Sequence, residues 1–128
     1  YGGSLGDGVS QASALPLPSE LNGIQVLLGD RPLPMWYGNQ SQLNVQVPFD
    51  VPVNTQHPIT VKRGSALSVP EQLSVAGAQP GIFTVNQQGT GQAVIVKSDQ
   101  LTVAQAGTPA AIGEAVVIYC TGLGAVNP

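Results

Sequence analysis

Charge is scarce in this chain. Only 9 % of its 128 residues are Asp, Glu, Lys or Arg, and four are basic. Nucleic-acid recognition needs a Lys/Arg footprint, so four scattered cations exclude that partner class. With a net charge of −3, docking on an anionic membrane surface is equally disfavoured. Cysteine occurs once, at Cys120, so no disulfide can close within the chain. One histidine and one cysteine cannot build a zinc site of the usual kind. The carboxylates Asp7, Glu20, Asp30, Asp50, Glu71, Asp99 and Glu114 stand singly. None pairs at the spacing of a glycosidase acid/base couple or a calcium loop. No catalytic residue, metal ligand or cofactor is therefore expected. No apolar run approaches the roughly 18 residues of a membrane-crossing helix. Helical periodicity is missing as well, since apolar residues nowhere recur every 3.6 positions over about ten residues.

What is present is apolar, amide- and hydroxyl-rich, and punctuated by turn formers. Hydrophobic residues make up 42 %, with 16 glycines and 11 prolines. Hydrophobicity this high does not belong to a disordered chain. The length suits one domain able to bury a core without staples. A chain that opens at Tyr1 without a leader is either cytoplasmic or a mature or partial product. Its composition favours the second, an extracellular β-protein that is secreted or held at a cell surface.

The pattern is one of short strands. Asp7 to Leu21, with Leu15-Pro16-Leu17-Pro18 inside it, reads as an extended loop, because proline removes a ladder donor and restricts its predecessor. Ile24 to Leu28 reads as a strand with Ile24, Val26 and Leu28 on one face. Gly29-Asp30 turns into Arg31 to Tyr37, an edge strand because of its prolines. Ser41 to Val47 alternates most clearly, with Leu43, Val45 and Val47 opposite Gln42, Asn44 and Gln46. His57 to Arg63, Ala66 to Val75 (broken at Pro70), Ile82 to Val85 and a hairpin about Ser98-Asp99 follow. Ala104 to Ile112 is irregular. Seven to nine short strands at this spacing predict an all-β, immunoglobulin-like antiparallel β-sandwich.

The longest β-branched run comes last, in Gly113, Glu114, Ala115, Val116, Val117, Ile118, Tyr119 and Cys120. It reads as a buried strand leaving through the turn Thr121 to Gly124. Tyr1-Gly2-Gly3-Ser4-Leu5-Gly6 repeats Tyr119-Cys120-Thr121-Gly122-Leu123-Gly124, with Tyr, Leu and Gly at matching offsets. The expected division is therefore 1–112, a sandwich lacking its first strand, and 113–128, the first strand and turn of a next copy.

Several stretches carry a family resemblance. They are Ala12 to Pro18, Asn22 to Val26, Pro34 to Tyr37, Gln42-Leu43-Asn44-Val45-Gln46-Val47-Pro48, Gln79 to Phe83, Gly91 to Ala93, and Gly113 to Gly124. In order and spacing the chain resembles the Solibacter-type C-terminal immunoglobulin-like repeats of acidobacterial secreted and surface proteins, similar in style to IPT/TIG domains. The resemblance implies a tandem immunoglobulin-like sandwich with no catalytic residues to carry over. It also implies that a strand like Ala115 to Tyr119 precedes a segment like Gly2 to Gly8.

Other candidates have plainer explanations. Gly2-Gly3-Ser4-Leu5-Gly6 fits the G-x-S-x-G pattern of a nucleophile elbow, which needs a strand before it and a helix after it. His57 would be its base. Glycines in turns explain the pattern better. Asn39-Gln40-Ser41 is a glycosylation sequon in an expected turn. Trp36 and Tyr37 could form a carbohydrate platform or pack in the sheet. Cys120 reads as a small buried hydrophobe. The expected function is a non-catalytic building block of an extracellular filament, stalk or adhesin. Its partners would be copies of itself, through strand donation by Gly113 to Cys120. The alternative is an accessory module binding surface glycan or protein through Trp36 and Tyr37.

Overall fold

The computed structural model describes residues 2–125 of the chain. Among them there is no helix; every regular element is a β-strand, and the paired strands run antiparallel. The chain divides into two compact units, Tyr1–Ala76 and Gly77–Pro128.

The first unit is a β-sandwich. Its smaller sheet has the order β1 (Ser10–Gln11), β4 (Met35–Gly38), β5 (Leu43–Val45). Its larger sheet has β2 (Ile24–Leu28) and β6 (Thr55–Arg63) at the centre. β3 (Arg31–Pro32) flanks β2, while β7 (Ala66–Leu67) and β8 (Glu71–Val75) both pair with β6. Period-two alternation turns Ile24, Val26 and Leu28 inward, where they meet Leu33, Met35 and Val51. Leu43 and Val45 of one sheet and Ile59, Val61, Leu73 and Val75 of the other pack around them. Leu33 and Met35 are completely buried, which is worth about 1.5–3 kcal/mol per side chain.

Arg31 to Tyr37, read as one edge strand, is two. β3 lies at the edge of the large sheet, whereas β4 is central in the small one. Between them the chain crosses from one sheet to the other, and Leu33 and Met35 enter the core there. Pro58 sits within the central strand β6 without breaking it. β2 has already ended at Leu28, opposite Ile59, and the Pro58 carbonyl accepts the Gly29 N–H at 2.7 Å. The missing donor therefore faces a turn and not a ladder. The exposed pairs Arg31–Asp50 and Arg63–Asp7 tie loops to strands, and at such exposure ion pairs add little stability.

The second unit contains β9 (Gly81–Ile82), β10 (Ile95–Lys97), β11 (Val116–Ile118) and β12 (Cys120–Thr121). β11 pairs with β10, and β12 with β9. The turn after β10 forms as its sequence suggests. The Asp99 carboxylate accepts the Leu101 and Thr102 N–H groups and the Thr102 hydroxyl, at 3.0, 2.9 and 2.6 Å. Among the described residues of this unit only Val96 is buried.

Candidate functional site

The expected assembly strand is present but shorter than its sequence suggests. Gly113 turns the chain with φ +85°, a conformation that favours glycine. Glu114 anchors the entry. Its N–H donates to the Ala111 carbonyl at 3.0 Å, and its carboxylate accepts the Ala111 N–H at 2.9 Å. The Lys97 ammonium lies 3.4 Å from the same carboxylate. The Ala111 amide foremost, then the Lys97 charge, holds Glu114 below the usual carboxylate range. Ala115 is exposed, and Val116–Ile118 forms β11. Tyr119 donates its N–H to Val94 and accepts from the Phe83 N–H. Cys120, half-buried, opens β12 opposite Ile82. Beyond it Gly122 and Gly124 have positive φ and lie where any Cβ would run into the Gln79 and Gly77 carbonyl oxygens.

The strand is not buried, which corrects the sequence reading. Val116 and Val117 are each 39 % exposed, and Ile118 and Tyr119 each 48 %. The physical reason is that, among the described residues, β11 has a partner on one edge only, in a unit that buries a single side chain there. Gly2 to Gly6, in the matching segment of the first unit, lies differently. Gly2 donates to the Ser41 carbonyl at 3.0 Å and Leu5 to the Gln40 carbonyl at 2.9 Å. Residue 1, which begins the first matching segment, and residues 126–128, which end the expected 113–128 stretch, lie outside the described residues.

The first unit has a feature the sequence did not announce. Leu5, Val26, Leu43, Val45, Ile59 and Val61 line an apolar cleft of about 520 Å³, with Glu71 as its one charged lining residue. Leu43 and Val45 belong to β5, the terminal strand of the small sheet. Part of the signal was legible in the alternation of Leu43 and Val45; the rest depends on strands distant in sequence.

Comparison of the chain with protein-family models, curated proteins and solved structures finds no match. The site must be read from its own chemistry.

Trp36 is 47 % exposed, at a bulge between Met35 and Tyr37. The Tyr37 hydroxyl accepts the Asn39 side-chain N–H at 2.9 Å. Neither aromatic lines the cleft. Asn39 lies in the turn between β4 and β5, where its side-chain oxygen accepts the Ser41 and Gln42 N–H groups at 2.8 and 2.7 Å. Both ends of the Asn39 amide thus organise the turn. Ser4 has φ 57° but no helix follows it, and the His57 ring lies 2.8 Å from the Pro52 carbonyl. No group of three or more metal-ligating side chains occurs among the described residues. No helix among them is long and apolar enough to cross a membrane.

Proposed function

We propose that this chain is a non-catalytic structural module that joins to copies of itself through Gly113 to Cys120, as a unit of a secreted or surface filament, stalk or adhesin. The observation that carries the reading is β11, a run of three β-branched residues, each more than a third exposed and, among the described residues, paired on one edge. Such an edge is a template for another strand. Proteins that stay apart blunt it with lysine, proline or a bulge, and Val116–Ile118 has no lysine or proline. The apolar cleft supplies a receiving surface of the same character. Strand addition satisfies backbone groups and apolar side chains together. Repeated head to tail, it grows an open array when the contact does not close. Low charge removes repulsion between neighbours. The resemblance to tandem immunoglobulin-like repeats points the same way, with copies supplied by consecutive stretches of a longer chain or by separate molecules.

The test is sedimentation of the full chain over a range of concentration, beside Ile118→Lys. Concentration-dependent growth that the lysine suppresses is the expected result. Growth that survives the lysine, or a native chain that remains single at millimolar concentration, overturns the proposal.

A further inference from the structure

Self-joining requires an edge to receive the strand. We infer that the receiver is the outer edge of β5. Val116–Ile118 of one copy pairs antiparallel with Leu43–Val45 of a second copy, Ile118 opposite Leu43 and Val116 opposite Val45. This rests on the assembly reading above and specifies its contact.

Asn39 donates to the Gln42 carbonyl across the turn, and Tyr37 pairs with Asn44. The backbone groups of Gln42 and Asn44 therefore face β4. Alternation along the strand turns those of Ser41, Leu43 and Val45 outward. Ser41 is already met there by the Gly2 N–H at 3.0 Å. Among the described residues, no backbone group meets Leu43 or Val45 on that side.

The donating edge has the same spacing. Tyr119 donates to Val94, and Val117 lies opposite Val96. Val117 and Tyr119 thus direct their backbone groups to β10. Val116 and Ile118 direct theirs to the side where, among the described residues, β11 has no partner. β11 can keep β10 and gain β5 without losing a bond.

The internal repeat then sets the register. Matching Tyr119 to Tyr1 aligns Cys120 with Gly2, whose N–H meets Ser41, so the incoming strand ends at Ile118 and leaves that place to Gly2 while Cys120 stays paired with Ile82. Gly2 pairs at Ser41 and Leu5 at Gln40, so this segment runs antiparallel to the turn before β5. Stepping back two residues along the matched segment places Ile118 opposite Leu43, and a further two place Val116 opposite Val45. Each falls on an outward-facing position of both strands, and a slip of one residue would lose every rung. Residues directly opposite share a face. Val116 and Ile118 would therefore lie on the side of Leu43 and Val45, over the cleft with Val26, Ile59 and Val61. Val117 would lie with Asn44, which is exposed. Exposed branched side chains and an open apolar cleft are then the two halves of one contact. The contact is short, and consecutive copies held at high effective concentration would compensate for that.

The test is a disulfide between two full-length chains, both carrying Cys120→Ser. One bears Asn44→Cys and the other Val117→Cys. In this register the pair is directly opposite and not hydrogen-bonded, with Cα atoms about 4.5 Å apart, within disulfide reach. Under mild oxidation the mixed dimer should form at least tenfold faster than with Val116→Cys or Ile118→Cys in place of Val117→Cys. Equal rates at the three positions, or a preference for 116 or 118, overturn the register. Chains that grow on sedimentation yet give no mixed dimer overturn β5 as receiver while leaving self-assembly intact. Chains that neither grow nor cross-link overturn both.

Discussion

Two truncations within the second unit, Val96→Ala and Ile118→Ala, should reverse the order that side-chain size suggests. Val96 is 7 % exposed and Ile118 48 %. Val→Ala removes two carbons from a closed site, a transfer loss of about 1.6 kcal/mol at ~0.8 kcal/mol per buried CH₂. Surroundings that collapse only partly add a cavity cost on the order of 1 kcal/mol. The total is roughly 2.5 kcal/mol. Ile→Ala removes three carbons, but about half of that surface already meets water, and water fills the space left. The cost in the single chain is about 1.2 kcal/mol. Both variants should be measured at low protein concentration by native-state exchange of the β10 amides, which follows this unit without assuming that the whole chain unfolds at once. Ile118→Ala costing as much as Val96→Ala would mean that β11 is buried within its own copy, and the argument for a donated strand would lose its basis. The same Ile118→Ala chain should lose assembly at high concentration, although its own fold is nearly intact.

A methyl group at Gly122 would overlap the Gln79 carbonyl oxygen, and φ there is +75°. Gly122→Ala should therefore cost the second unit on the order of 1–3 kcal/mol. Gly107→Ala, with nothing near its added methyl, should stay within about 0.5 kcal/mol. Equal unfolding midpoints for the two variants would refute the close approach. Acid should weaken the same unit. The Thr102 hydroxyl and the Thr102 and Leu101 amides hold Asp99 down from 3.8 to about 2. The folded state thus binds fewer protons than the unfolded one between those values, so stability is complete above about pH 4 and falls as pH drops toward 2. Glu114 is lowered in the same direction. Denaturant midpoints read from pH 6 to pH 2 should decline over that window, less steeply in Asp99→Asn. A midpoint that stays level or rises on acidification would contradict the sign.

Local chemistry was legible in the residues alone. Absent helical periodicity and frequent glycine and proline called for short strands. Ile24 to Leu28 runs between the limits its apolar alternation marks, and Asp99 and Asn39 hold the turns that their side chains can cap. These features depend on neighbours within a few positions, where period and side-chain hydrogen bonding decide the outcome. Depth of burial was not legible. Val116, Val117 and Ile118 have the composition of a core strand, but burial depends on what lies beside and above a strand, and within its own unit β11 meets little. Leu33, between two prolines, and Met35, just after the second, look like an edge and are the most deeply buried side chains of the first unit. They lie where the chain changes sheets, an event governed by packing between distant strands. The cleft is likewise a product of tertiary structure, since its walls come from segments as far apart as Leu5 and Glu71. Sequence alone therefore determined the β class, the turns and the alternating faces. Only the tertiary structure decided which of those faces are covered, because coverage is a property of pairs of strands and not of any one of them.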